Sequence, residues 1–246
     1  MLHADGNGRP LSNRILSLLP ADDYGRLAAH FQYVELPLGE VLYQPDTPLS
    51  HVYFPVSGTV SLTAPMSDGG EVEVGVVGRE GMAGLPVFLG TDSTPFKALV
   101  QVAGGAVRVA AGRFISEAGP GGELHRLLLR YAQAFFVQAA QTAACNRFHQ
   151  MEARLAKWLL TTRDRARSDE LDLTQEFLAM MLGVRRAGVS EAVCELERRG
   201  LVGHARRRIT ILDGPGLEAA SCECYGLIRK EYERLLGAEC KLSAGP

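Results

Sequence analysis

Between residues 174 and 207 the chain places side chains suited to gripping a polyanion: Thr174, Arg185, Arg186, Ser190, Arg206 and Arg207. Two adjacent arginines at the start of a helical pattern can enter a DNA major groove. There an Arg fork holds guanine O6 and N7 together. Ser190, one turn on, suits a base or a phosphate. Thr174 is a good N-cap for the preceding helical pattern, and the free N–H groups of a helix start suit a phosphate too. Arg206 and Arg207 fall in a turn between two short β-type runs, where their charge neutralises backbone phosphates.

Other chemistry is sparse. The five cysteines are Cys145, Cys194, Cys222, Cys224 and Cys240. An odd count does not read as a disulfide framework. Cys222-x-Cys224 is the only close pair. Two thiolates could serve a metal or a redox switch, but structural zinc wants four ligands and usually a two-residue gap. The pair reads as reduced thiols, so no metal site and no cofactor are expected. His51 is the only histidine of the β-type region, so a triad of two histidines and a carboxylate cannot be built there. A haem on His51 is a weaker reading than a structural strand residue. No Gly-x-Ser-x-Gly elbow or phosphate loop occurs, so no catalytic residue is expected and the chain does not read as an enzyme.

The elements that must position these residues follow from texture. Residues 11–31 read as helix, restarting at Pro20-Ala21-Asp22-Asp23, with Ser12 as N-cap. From Tyr33 to about Val109, short β-branched runs alternate with Gly, Pro, Asp and Ser, which predicts an antiparallel sandwich or barrel. Ser67-Asp68-Gly69-Gly70 is a hairpin signal. The stretch Gly78 to Pro95 predicts a short helix and a loop. After Gly119-Pro120-Gly121-Gly122 a run without Pro or Gly begins at Glu123, and its first part, to Phe148, spans ~39 Å as helix. Leu124, Leu128, Tyr131 and Phe135 head one apolar stripe. Leu127, Ala134, Gln141, Ala144 and Phe148 form a second. One side can pack on the β region, while the other suits a copy of itself. The expected dimer contacts are Leu124, Leu128, Tyr131 and Phe135.

Met151 to Leu160 continues the helical pattern, and Arg163 to Glu170 reads as a polar loop. Then Thr174, Phe177, Leu178 and Met181 mark a helix, Leu182-Gly183-Val184 a tight turn, and Arg185 to Arg199 a second helix with Val189, Val193 and Leu196 inside. Leu201-Val202 and Arg208 to Leu212 complete a winged helix–turn–helix. Gly216 to Leu236 reads as one amphipathic helix, expected on the DNA-binding half. The fold class is α+β, with boundaries at 1–120, 121–148, 149–213 and 214–246.

Charge and composition agree. The 246 residues are 46% hydrophobic and 22% charged, with net charge −2. Residues 1–146 carry 9 basic against 13 acidic side chains, 147–212 carry 13 against 9, and 213–246 carry 4 against 6. The basic excess sits where the helix–turn–helix is expected. No run approaches the ~18 apolar residues of a membrane span. Met1 to Gly8 shows neither a basic nor an apolar leader region, so a cytoplasmic setting is expected.

In order and in detail, residues 12–212 resemble the CRP/FNR superfamily of bacterial transcription regulators. In the first half the likeness rests on Leu36-Pro37-Leu38-Gly39-Glu40-Val41-Leu42-Tyr43, Val52-Tyr53-Phe54-Pro55-Val56-Ser57-Gly58 and Gly81-Met82-Ala83-Gly84-Leu85. In the second it rests on Leu173 to Ala179 and Leu182-Gly183-Val184-Arg185-Arg186. The resemblance implies a jelly-roll sensor like a cyclic-nucleotide-binding domain, a homodimer, a palindromic operator and RNA polymerase as a further partner. Arg186 falls at the family's base-reading arginine, while Ala187 replaces the glutamate that usually follows. The effector segment departs from the cyclic-nucleotide pattern. Gly81, Met82, Pro95 and Phe96 occupy it, Pro95-Phe96 stands in place of an Arg-Ser pair, and Ala139-Ala140 replaces hydroxyl side chains. A buried phosphate without a cation is costly, and Lys97 is the only one nearby. The expected effector is therefore an unknown small molecule and not cyclic AMP. The alternative is a signalling module that binds protein and no specific DNA. Salt dependence of binding separates the two.

Overall fold

A computed structural model describes residues 12–67 and 69–237. The segment before Ser12, Asp68 of the hairpin signal and Cys240 lie outside the described residues. Asn13 does the capping expected of Ser12. Its side chain accepts from Leu16 N at 3.3 Å and starts α1 (Arg14–Ser17), while the Ser12 hydroxyl donates to Val56 O. After Pro20 comes α2 (Ala21–Ala28).

The next elements are β1 (Gln32–Leu36), β2 (Val41–Tyr43), β3 (His51–Pro65), β4 (Glu71–Val77), α3 (Leu85–Phe88), β5 (Lys97–Ala110) and α4 (Ala111–Glu117). The strands form one antiparallel sheet in the order β1-β5-β3-β4, with β2 also on β5. The long partners β3 and β5 shift register between Pro55 and Val60, where extra residues bend the pair into a roll. Leu36, Val52, Phe54, Val60, Val100, Val107 and Phe114 fill its interior and are almost wholly excluded from solvent.

The long helix α5 (Glu123–Phe148) has 26 residues and lies across the roll. Leu124, Leu128 and Tyr131 are 3%, 0% and 1% exposed within the single chain, and Phe135 packs against the same core. This overturns their expected place in a dimer contact: their side chains are already spent on the roll. Glycines make the approach close. A Cβ on Gly81 would sit 2.4 Å from the Tyr131 ring, and one on Gly75 would sit 2.5 Å from Phe135. The face left open lies on the opposite side, where Leu129, Phe136, Ala140 and Ala143 follow at spacings of 7, 4 and 3.

After a two-residue extended joint, His149-Gln150, come α6 (Met151–Ala166), β6 (Glu170–Leu171), α7 (Gln175–Leu182), α8 (Arg186–Arg198), β7 (Val202–Ala205) and β8 (Arg208–Ile211). The expected loop from Arg163 is shorter than the sequence suggests. Helix α6 runs on until Arg167 takes a left-handed cap at φ 54°, and Glu170-Leu171 then pairs with Thr210 and Ile209. A second core, around Leu155, Trp158, Leu178, Val189, Leu196 and Ile209, holds this half together.

The tail departs most from expectation. It is two helices, α9 (Gly214–Ala220) and α10 (Cys224–Leu236), not one. Leu217 and Tyr225 join the second core, but Ile228, Tyr232 and Leu236 enter the sensor core, and α10 lies along α5. The Tyr131 and Tyr232 rings meet edge to face at 6.5 Å. The tail therefore packs along α5, in whose second stripe Leu127 and Ala134 are buried while Ala144 and Phe148 stay exposed. No helix among the described residues is long and apolar enough to cross a membrane.

Candidate nucleic-acid interface

Thr174 caps α7 as expected, its Oγ1 accepting from Phe177 N at 3.1 Å. The hydroxyl proton stays free for an anion at the helix start. Gly183 ends α7 in the left-handed region, φ 63° and ψ 41°, and turns the chain into α8. Its tightness serves packing as well, because a Cβ there would meet Val72 of β4 at 2.8 Å. The Leu182 carbonyl at the same turn accepts from Arg154 Nη2 at 2.6 Å.

The structure starts α8 at Arg186 and makes Arg185 its N-cap, one residue later than the sequence suggests. Both arginines and Ala187 are exposed, and Ser190 is half-buried one turn further on. Arg186 holds Glu176 of α7 at 2.9 Å, and both side chains are more than half exposed. In high dielectric such a pair contributes only ~0–1 kcal/mol, so it orients the guanidinium without locking it away. Leu178, Val189, Val193 and Leu196 are at most 1% exposed, so the helix pair presents this arginine face from a rigid base.

The wing is a two-residue hairpin. Ala205 pairs with Arg208, leaving Arg206 and Arg207 at the tip. Arg206 has φ 44°, a region that favours glycine in tight hairpins. A long cation held in a strained turn is a feature associated with function. Arg208 differs from its two neighbours, since Glu170 and Asp172 hold it at 2.9 and 3.1 Å.

Of the four residues expected around an effector, two lie inside the sensor core and two at the surface. Met82 is 1% exposed inside the sensor core, and Gly81 lies against Tyr131. Pro95 and Phe96 sit at the surface ahead of β5. Lys97 is held by Glu71 at 2.6 Å, so it is not a free anion ligand. A cleft of about 590 Å³ lies elsewhere, between α6 and α10, with Arg14, Arg163, Arg167 and Arg229 in its wall.

A second site was not expected from the sequence. Cys145, His149, Cys222 and Cys224 each present one donor atom, all within 4.8 Å of one another. The Cys145 and Cys222 sulfurs are 3.5 Å apart and share a hydrogen bond, which pushes the Cys145 thiol up and the Cys222 thiol down from the usual thiol range. The reading of Cys222 and Cys224 as an isolated pair is thereby overturned. The missed signal is Cys145-x₃-His149, two ligand types one helical turn apart.

Comparison with known proteins agrees with this layout. Residues 33–117 match the cyclic nucleotide-binding domain, and residues 153–220 match the Crp-like helix-turn-helix domain. The CRP-like cAMP-activated global transcriptional regulator of Mycobacterium tuberculosis is 26% identical over 200 residues, covering 78% of this chain and 88% of that protein. FixK2 of Bradyrhizobium japonicum superposes with a TM-score of 0.66 at 20% identity, over 78% of this chain and 98% of that one. A CRP/FNR-family transcriptional regulator of Thermus thermophilus gives 0.64 at 21%, over 77% and 98%. The two solved structures share the fold described above.

Proposed function

Since the chain belongs to the CRP/FNR family of transcription regulators, and is therefore not an enzyme, we propose that it reads a palindromic operator as a homodimer under control of an effector other than cyclic AMP. The observation that carries the DNA reading is the exposed pair Arg185-Arg186 at the start of α8, set beside a wing tip of Arg206 and Arg207. Arg186 reads a guanine edge. Arg185, Thr174 and the wing hold phosphates, and Ser190 lies close enough for either. The dimer forms through the open stripe of α5, in which Leu129 and Phe136 are 52% and 66% exposed. The protein then works in the cytoplasm beside its DNA, with RNA polymerase as the partner through which it acts.

Cyclic AMP does not suit the sensor. The Mycobacterium tuberculosis relative is cAMP-activated, but here residues 81–96 contain no arginine and Lys97 is engaged by Glu71. The roll interior is packed with apolar side chains, and a phosphate placed there would lack the donors it needs. Calorimetry with cyclic AMP is expected to show no binding at micromolar concentrations; micromolar or tighter affinity overturns this part.

The deciding experiment for the whole reading is selection from a random DNA pool. An enriched inverted repeat, with half-sites ~10 base pairs apart or a multiple of that, supports it. Equal retention of scrambled duplex overturns it in favour of a module that does not read sequence.

A further inference from the structure

We propose that Cys145, His149, Cys222 and Cys224 form a closed tetrahedral site for one Zn²⁺ ion, which clips the tail helices onto the end of α5. Three thiolates and one imidazole are a structural zinc set. A zinc ion at ~2.3 Å from sulfur and ~2.0 Å from nitrogen needs donors roughly 3.5–3.8 Å apart. Cys145 Sγ stands 3.5 Å from Cys222 Sγ, and Cys224 Sγ stands 3.5 Å from His149 Nδ1. All four donors fall within 4.8 Å of one another, a spread suited to a single ion. A cluster of several irons, each taking different ligands, needs a wider one.

The surroundings support a ligand set better than they support packed thiols. His149 turns its other ring nitrogen to Glu223 Oε1 at 3.2 Å, which leaves Nδ1 facing the sulfurs. This carboxylate–histidine arrangement fixes the ring and raises its basicity as a ligand. Gln141 Nε2 donates to Cys224 Sγ at 3.1 Å, as suits a thiolate. Cys145, Cys222 and Cys224 are 1%, 7% and 0% exposed, so no open position remains for substrate. They also form a cluster apart from both large cores, and among the described residues Ala153 is the one partly buried hydrophobic packed on it. Thiols that served as small hydrophobes would sit within a core. A Cys145–Cys222 disulfide would have to close from 3.5 Å to ~2.05 Å and would leave Cys224 and His149 without a role.

The position gives the ion a task. Cys145 and His149 lie at the end of α5, where His149 and Gln150 break the helix before α6. Cys222 and Cys224 flank the start of α10. The ion thus joins three helices at the joint between the two halves of the chain. Metal uptake is measured without DNA, so this proposal and the operator reading fail independently.

The test is metal analysis of the full chain purified without chelator. One zinc per chain is expected. Replacement by Co²⁺ should give visible bands of tetrahedral cobalt and a near-ultraviolet thiolate charge-transfer band. Cys145→Ser and Cys222→Ser should abolish both, while Cys194→Ser, at an exposed cysteine of α8, should keep them. Chelation of the wild-type chain should speed hydrogen exchange in α9 and α10. That arm needs no variant to fold. A wild-type chain that takes up no tetrahedral Co²⁺ overturns the proposal. So does a Cys145–Cys222 disulfide in chain purified without air, or tail exchange that chelation leaves unchanged.

Discussion

Adjacent arginines in α8 cannot do the same job. A helix turns ~100° per residue, so only one of the two points straight into a groove. Arg185, as N-cap, stands outside the helix, and Arg186 opens it with Glu176 alongside at 2.9 Å. If Arg186 holds a guanine, Arg186→Ala costs ~1–3 kcal/mol at the operator and flattens preference at one symmetric base position. Arg206→Ala or Arg207→Ala should weaken all sequences alike and lower the salt slope by about one unit. Titrations against operator and scrambled duplex at several salt concentrations separate the two patterns. Loss of base preference in Arg185→Ala, with Arg186→Ala behaving like the wing variants, would exchange the roles. Glu176→Gln frees Arg186 from its surface partner, so binding should tighten by up to ~1 kcal/mol. The arginines and Thr174 were legible because local spacing sets a helix start and a turn. The partner Glu176 was not, since the sequence does not specify how two helices cross.

Helix α5 shows why periodicity names faces without naming their partners. Leu124, Leu128, Tyr131 and Phe135 form the stripe most obvious in the sequence, and the roll takes it. Of the second, only Leu127 and Ala134 are buried, in the core to which Ile228, Tyr232 and Leu236 return from far along the chain, while Ala144 and Phe148 stay exposed. The third side, of Leu129, Phe136, Ala140 and Ala143, is open along its length, and alanines made it look unremarkable. The consequence is a pair of opposite outcomes. Phe136→Glu should leave the fold intact and yield a monomer in sedimentation with weakened operator binding. Tyr131→Glu should unfold the chain instead, as a carboxylate would be buried where Tyr131 OH now donates to Met82 O at 2.9 Å. Leu128→Ala, at 0% exposure, should cost ~2–5 kcal/mol in denaturant unfolding without changing the oligomer. A wild-type monomer at micromolar concentration, with or without DNA, would count against the α5 dimer.

Across the whole molecule the two halves meet through a buried polar network, and Glu73 of β4 is its centre. The sequence does not say that α6 covers the face of β4 that carries Glu73, so its burial was invisible there. Glu73 accepts from Ser61 Oγ at 2.6 Å, Gln101 Nε2 at 3.0 Å and Trp158 Nε1 at 3.0 Å. Lys157 and Arg165 of α6 pull its pKa down, yet burial is the larger effect and pushes it from 4.5 to about 7. Arg165 carries the network onward, to Glu80 at 2.6 Å and over the Tyr232 ring at 5.6 Å. The sign follows from the raised value. The folded chain holds this proton more tightly than the unfolded one, so stability falls as pH rises from about 4.5 to about 7 and then levels. The drop is up to about 3 kcal/mol, at 1.36 kcal/mol per unit. Glu73→Gln keeps the shape and the carbonyl acceptor but removes the titration, so its stability should hold nearly level where the wild type declines. Urea midpoints for both chains across that range test this through their difference, which cancels histidines titrating in each. Parallel slopes would mean that Glu73 stays ionised, held by Lys157 and Arg165. A converging pair at low pH would mean that the contact between sensor and DNA-binding half tightens when one buried carboxyl takes up its proton.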